Sequence, residues 1–170
     1  MVIKLLKYSM YALSIFPNLL DAQSLDDCNK HLDSLLHSPK YKVDVYQGKI
    51  ASKTILDAQT RRLRTNLRLV LASNLKVEVA GKYDITSWGC GSPCVNLGLV
   101  NLKTGKASIG PYYSYNVEYL PNSQIIITDK AESQEQINRV EWLIPEAYRV
   151  NEDGKFKLIY QCKLDRKASN

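Results

Sequence analysis

The sequence predicts an α+β protein in which N-terminal helices are followed by an antiparallel β-meander sheet, the whole stabilised by disulfides. Three observations carry this. Apolar residues recur at helical spacing in two segments before residue 74. From Val77 onward they alternate in short runs punctuated by Gly, Pro and Asn. Four cysteines, Cys28, Cys90, Cys94 and Cys162, follow an apolar leader, and an even cysteine count in an exported chain favours disulfides over free thiols.

The leader is residues 1–22. Lys4 and Lys7 supply a positive start, residues 8–20 a short apolar core broken by Pro17, and Leu20-Asp21-Ala22 a cleavage site ending in a small residue. It reads as a cleaved secretory signal, with an uncleaved N-terminal anchor as the alternative. The run is too short and too interrupted for a transmembrane helix of about 20 residues. Cys28 follows two aspartates, which disfavours a lipidated cysteine. A single domain over 23–164, a polar tail over 165–170 and a periplasmic or secreted location are therefore expected.

Within the domain, Leu25, Cys28, Leu32, Leu35 and Leu36 share one face of a short helix that Pro39 stops. Residues 41–46 alternate as a strand ending at Gly48. Residues 57–73 form the stronger helix, with Leu63, Leu67, Val70 and Leu71 on one face and Arg61, Arg64 and Arg68 on another. Strands are expected over 81–88 and 95–102, joined by Trp88-Gly89-Cys90-Gly91-Ser92-Pro93-Cys94, and Thr104-Gly105-Lys106 is a hairpin turn. Tyr112-Tyr113-Ser114-Tyr115 follows Gly110-Pro111 and reads as an exposed binding loop or as edge packing. Strands follow over 117–120 and 124–128, then an exposed loop over 129–136, two runs bent at Pro145 (140–144 and 147–150), and a last strand over 155–164.

The cysteine turn has three readings. As a staple, Cys90–Cys94 pins a strand–turn–strand. A thiol exchanger usually has two residues between its cysteines and a helix N-terminus, where this chain has three residues and then a strand. A metal site needs further ligands, yet the only histidines, His31 and His37, are distant in sequence and do not share a helical face. Three pairings of the four cysteines are possible. Proximity favours Cys90 with Cys94, which leaves Cys28 with Cys162 to clamp the start of the mature chain to its last strand.

Composition limits the function. With 45% hydrophobic and 24% charged residues the chain is too apolar for general disorder. Its net charge of +6, to which Lys4, Lys7 and Asp21 contribute one, is a modest basic excess. Such an excess favours an anionic envelope component or simply keeps the surface solvated. Arg61, Arg64 and Arg68 would suit carboxylate or phosphate, and Tyr112, Tyr113 and Tyr115 would suit a protein surface. A nucleic acid partner is not expected, because no basic platform is interleaved with aromatics. There is no Gly-x-Ser-x-Gly elbow, phosphate loop or other nucleophile–base motif, so no catalytic residue, metal or cofactor is assigned.

Several of these elements together resemble a group of uncharacterised exported bacterial proteins. The shared pattern is Arg62-Leu63-Arg64-Thr65, then Ala80-Gly81-Lys82-Tyr83, the Trp-Gly-Cys-Gly-x-x-Cys turn at 88–94, the Thr-Gly-Lys turn at 104–106 and Tyr119-Leu120-Pro121-Asn122-Ser123. The chain departs from that pattern at Lys82, where His is usual, and before Ala80, where an Asn-Phe pair is usual. The resemblance implies export and no established activity. The expectation is a non-enzymatic exported protein that binds another macromolecule, such as an inhibitor or immunity-type protein. The alternatives are a binder of a small ligand or envelope polymer, and a thiol-redox or metal protein using Cys90 and Cys94.

Overall fold

The computed structural model describes residues 23–63, Leu67, residues 76–164 and Arg166. The leader, Arg64, Arg68 and most of the expected second helix lie outside the described residues. Helix α1, Leu25–Leu36, forms where the leucine spacing places it. Ser24 caps it by accepting the Asp27 N–H at 3.1 Å, and Asp26 and Asp27 suit the positive end of the helix dipole. Cys28, Leu32 and Leu36 form its buried face.

Among the described residues seven strands follow in two antiparallel sheets, so the α+β class holds. The first sheet is β1 (Tyr83–Gly91), β2 (Cys94–Asn101) and β3 (Ala107–Tyr113). The second is β4 (Val117–Tyr119), β5 (Ile125–Thr128), β6 (Glu146–Val150) and β7 (Phe156–Gln161). Each sheet is a meander, but the expected single sheet is divided between β3 and β4. The reason lies in β5. Ile125 and Ile127 pack with Cys28, Leu32, Leu36, Ala147 and Cys162, while Ile126 packs with Leu97, Leu99, Tyr113 and Val150. A strand apolar on both faces must be covered on both. Helix α1 covers one face and the first sheet covers the other. The outer face of the first sheet carries Val100 and Ala107, packed with Leu67, Leu56 and Trp88.

The crossing between sheets is built by Asp129, at φ 56°. Its carboxylate accepts the N–H groups of Ser114 and Tyr115, both at 2.8 Å. These bonds outweigh the cost of a left-handed non-glycine residue, on the order of 1–3 kcal/mol.

Three local expectations are corrected. Residues 41–46 do not form a strand. A 3-10 turn at Pro39–Tyr41 leads into chain that pairs only through an isolated antiparallel bridge, Lys42↔Ser123, and then reaches turns: Val43 N–H donates to Asn122 at 2.9 Å and Tyr46 N–H to Gly81 at 2.6 Å. Alternation without a partner strand yields no ladder. The loop expected over 129–136 runs into helix α2, Gln134–Arg139, capped by Ser133, whose hydroxyl accepts the Gln136 N–H. Residues 140–144 lie outside any strand. The described start of the helix expected over 57–73 contains a 3-10 turn, Thr60–Leu63. Both disulfides form as proximity favoured, Cys28–Cys162 with Cα atoms 5.7 Å apart and Cys90–Cys94 with Cα atoms 5.2 Å apart. Among the described residues no helix is long and apolar enough to cross a membrane.

Candidate functional site

The β1–β2 hairpin carries the exposed cysteine turn. Its register runs Ser87↔Leu97, Trp88↔Asn96, Gly89↔Val95 and then slips, so that Gly91 faces Cys94 and Cys90 bulges from the ladder. The disulfide closes this bulge. Residues 89–93 are all exposed, and the Ser92–Pro93 peptide is cis.

The glycines of this hairpin have different causes. Gly91 sits at φ 120°, a conformation that L side chains rarely adopt. Gly98 is forced by packing, since a Cβ there would lie 2.8 Å from Leu67 and 2.9 Å from the Trp88 ring. Gly89 is forced by neither, because a Cβ there would meet nothing within 4 Å and its φ is ordinary. The fold explains Gly91 and Gly98 and places no demand for glycine at position 89.

Across the three strands, Trp88 faces Asn96 and Asn96 faces Tyr112. These side chains share one face of the sheet, with Trp88 rooted over Gly98 and Tyr112 66% exposed. Tyr113 points the other way, into the core between the sheets, because neighbours on a strand alternate. It is a packing residue, and the three tyrosines do not form one loop surface. Gly110-Pro111 does not open a loop either. It lies within β3 at a register slip opposite Leu97, where proline's missing N–H is tolerated and a Cβ on Gly110 would come within 2.7 Å of Phe156. Tyr115, 46% exposed, stands in the turn held by Asp129.

Arg61 is exposed beside Gln59 and Thr60, which line a groove of about 490 Å³ between β3 and the β6–β7 turn. Lys106, Tyr148, Lys155 and Phe156 also line it, and Ser108 contributes a buried hydroxyl without a hydrogen-bond partner. The groove's carboxylates are engaged within the chain. Asp57 is held below its ordinary range by the backbone and hydroxyl of Thr60, and Asp153 by Lys155. Burial first, then the bond to Glu146, pushes the Tyr148 hydroxyl up, so it stays a donor.

A carboxyl pair lies at the foot of β1. The bridge Val79↔Tyr83 closes a turn through Ala80 at φ 49° and Gly81 at φ 72°, which sets Glu78 beside Asp84. Burial, then the charge of Glu78, pushes the Asp84 carboxyl up to about 6. Lys76 reaches Glu78 at 3.2 Å. Tyr119 is raised by its own burial and then by both carboxylates. Lys82 pairs with Glu152 across the start of the same strand.

His31 packs on Tyr160 at 4.2 Å between ring centroids. Among the described residues no three His, Cys, Asp or Glu side chains are grouped to hold a metal, and Cys90 and Cys94 are bonded to each other. Arg64 and Arg68 lie outside the described residues. Sequence reasoning missed the Glu78–Asp84 pair and the Ser108 groove. The Ala80-Gly81 turn was a usable signal for the first, because closing it pairs its flanks; the second arises only when the sheets meet. Comparison with family models, with curated proteins and with solved structures finds no match.

Proposed function

We propose that this is an exported, non-catalytic envelope protein that binds another macromolecule, as an inhibitor or immunity-type protein does, and that its contact element is the disulfide-pinned β1–β2 tip. The single observation that carries this is the exposed stretch 89–93, closed by Cys90–Cys94, on a hairpin whose base is built into two cores. A loop ordered before binding loses little conformational freedom on association. Gly89 and Gly91 leave the backbone open to close approach, and Trp88 and Tyr112 supply adjacent aromatic surface. Two disulfides favour an oxidising compartment, and the resemblance carried by the 88–94 turn points to the same place.

Affinity capture from a periplasmic extract tests this. The native chain is expected to retain a specific protein, and a Ser92→Arg chain with the same unfolding midpoint is expected to release it. Recovery of no specific protein under several growth conditions would overturn the proposal. The groove beside Arg61 supports a second reading, a small polar ligand or envelope polymer, because the Ser108 hydroxyl inside it lacks a partner.

A further inference from the structure

The two disulfides differ in what can reach their sulfur atoms. Residues 89–93 are exposed, Cys90 among them, and Cys94 is half-buried. Cys28 is 0% exposed and Cys162 6%, both inside the core formed by α1 and the second sheet. A disulfide opens when a thiolate attacks one of its sulfurs, so access sorts the two bonds. Linkage sorts them the same way. A crosslink that stabilises the fold is harder to reduce within it, and Cys28–Cys162, with a sequence separation of 134 against 4, closes much the longer loop.

The ladder sets how far an opened tip loosens. β1 and β2 pair without interruption from Tyr83↔Asn101 to Gly89↔Val95, and beyond that point only Gly91↔Cys94 remains. From Val95 inward β2 has a strand on each side, with Val95↔Tyr113 and Asn96↔Tyr112 on the β3 side. Residues 90–94 are therefore held by one register pair and the disulfide. The hairpin also lacks what a thiol-exchange catalyst uses. Residues 85–102 include no charged side chain, and a strand follows Cys94 in place of a helix N-terminus, so the hairpin itself lowers neither thiol pKa. These are the properties of a disulfide that is acted upon.

We propose that Cys90–Cys94 is a reversible redox site, reduced within the folded chain by a dithiol of the kind a thiol–disulfide oxidoreductase presents, while Cys28–Cys162 stays closed, and that its opening switches off binding at the tip. The last clause rests on the tip reading above. In the first step a thiolate of the dithiol attacks the exposed Cys90 sulfur, and Cys94 leaves as a thiolate that takes up a proton. The second thiol of the reductant then attacks the mixed disulfide and frees Cys90, which is protonated in turn. The dithiol is oxidised to its own disulfide, and its two electrons end on Cys90 and Cys94. The freed residues 90–94 lose the shape that the closed bulge imposed.

The test uses the native folded chain, equilibrated without denaturant in glutathione and then dithiothreitol buffers of graded poise. Free thiols are trapped by alkylation and located by mass spectrometry. Cys90 and Cys94 are expected to become labelled together, with a reduction equilibrium at least about tenfold more favourable than that of Cys28 and Cys162. Amide exchange is expected to quicken over 90–94 while Ile126 and Val150 stay protected. Opening of both disulfides at one poise, opening of Cys28–Cys162 first, or labelling of Cys90 only when the whole chain unfolds would each overturn the proposal. For the switch, a chain carrying a photoreactive residue at Ser92 is irradiated in periplasmic extract. The adduct of the oxidised chain is expected to disappear when the tip alone has been reduced and alkylated, and equal adducts from both forms would contradict the switch. Thiol labelling needs no partner, so its failure leaves capture by the tip standing, and failure of capture leaves the order of reduction standing.

Discussion

Cys28–Cys162 links residues 134 apart in sequence, within the core formed by α1 and the second sheet, whereas Cys90–Cys94 links residues four apart on an exposed tip. The first is surrounded by Leu32, Ile125, Ile127 and Ala147 and ties the first helix to the end of the last strand. The second is flanked by Gly89 and Gly91, at each of which a Cβ would meet nothing within 4 Å. A hairpin needs only a two-residue turn to close. The contrast separates a crosslink that holds the fold from one that holds the shape of a surface.

The largest expected effect is on the buried crosslink. Closing a loop of this length contributes on the order of 4–5 kcal/mol in the chain-entropy model. Urea unfolding of Cys28→Ala with Cys162→Ala should show a loss of that order, and a loss under about 1 kcal/mol would break the comparison on scale. The tip pair should matter less for stability. Cys90→Ser with Cys94→Ser is expected to cost about 2 kcal/mol by the same model and to abolish capture. Equal losses from both pairs would mean that the tip is structural after all.

A smaller effect separates the foot of β1 from its tip. Asp84 binds its proton more tightly in the folded chain, at about 6, than at its ordinary 3.8. Between those values the folded state holds more protons, so this group's contribution to stability falls as pH rises through the window. Asp84→Asn should therefore stabilise the chain near neutral pH by about 1 kcal/mol. The difference between variant and native stability should shrink on acidification through that window; a difference independent of pH would refute the raised proton affinity of Asp84. The smallest effect belongs to Gly89→Ala, expected to change the unfolding free energy by less than about 0.5 kcal/mol while weakening capture. A large loss of stability there would return Gly89 to the fold.

Much of this architecture was legible before any coordinates. The leucine spacing around Cys28 and the stop at Pro39 located α1, and cysteine proximity led to the disulfide map. The division into two sheets was hidden because Ile125-Ile126-Ile127 is apolar on both faces and shows no alternation. Residues 41–46 alternate convincingly but pair only through one isolated bridge, Lys42↔Ser123. Helix α2 was announced by Ser133-Gln134-Glu135-Gln136, a capping pattern hidden in a polar stretch. Of the candidate binding residues, Tyr112 is exposed, Tyr113 is core because of strand parity, and Tyr115 depends on Asp129, which is fourteen residues away. The groove and the carboxyl pair depend on contacts between distant segments, which local patterns do not encode.

Photo-crosslinking in living cells tests the central claim, that the stapled tip meets a partner, most directly. A photoreactive residue is placed at Ser92 in one chain and at Leu158, exposed on the β7 edge, in another. The account predicts a discrete adduct from position 92 and none of that mass from position 158. Equal adducts from both positions, or none from position 92 in a folded and correctly exported chain, would contradict it.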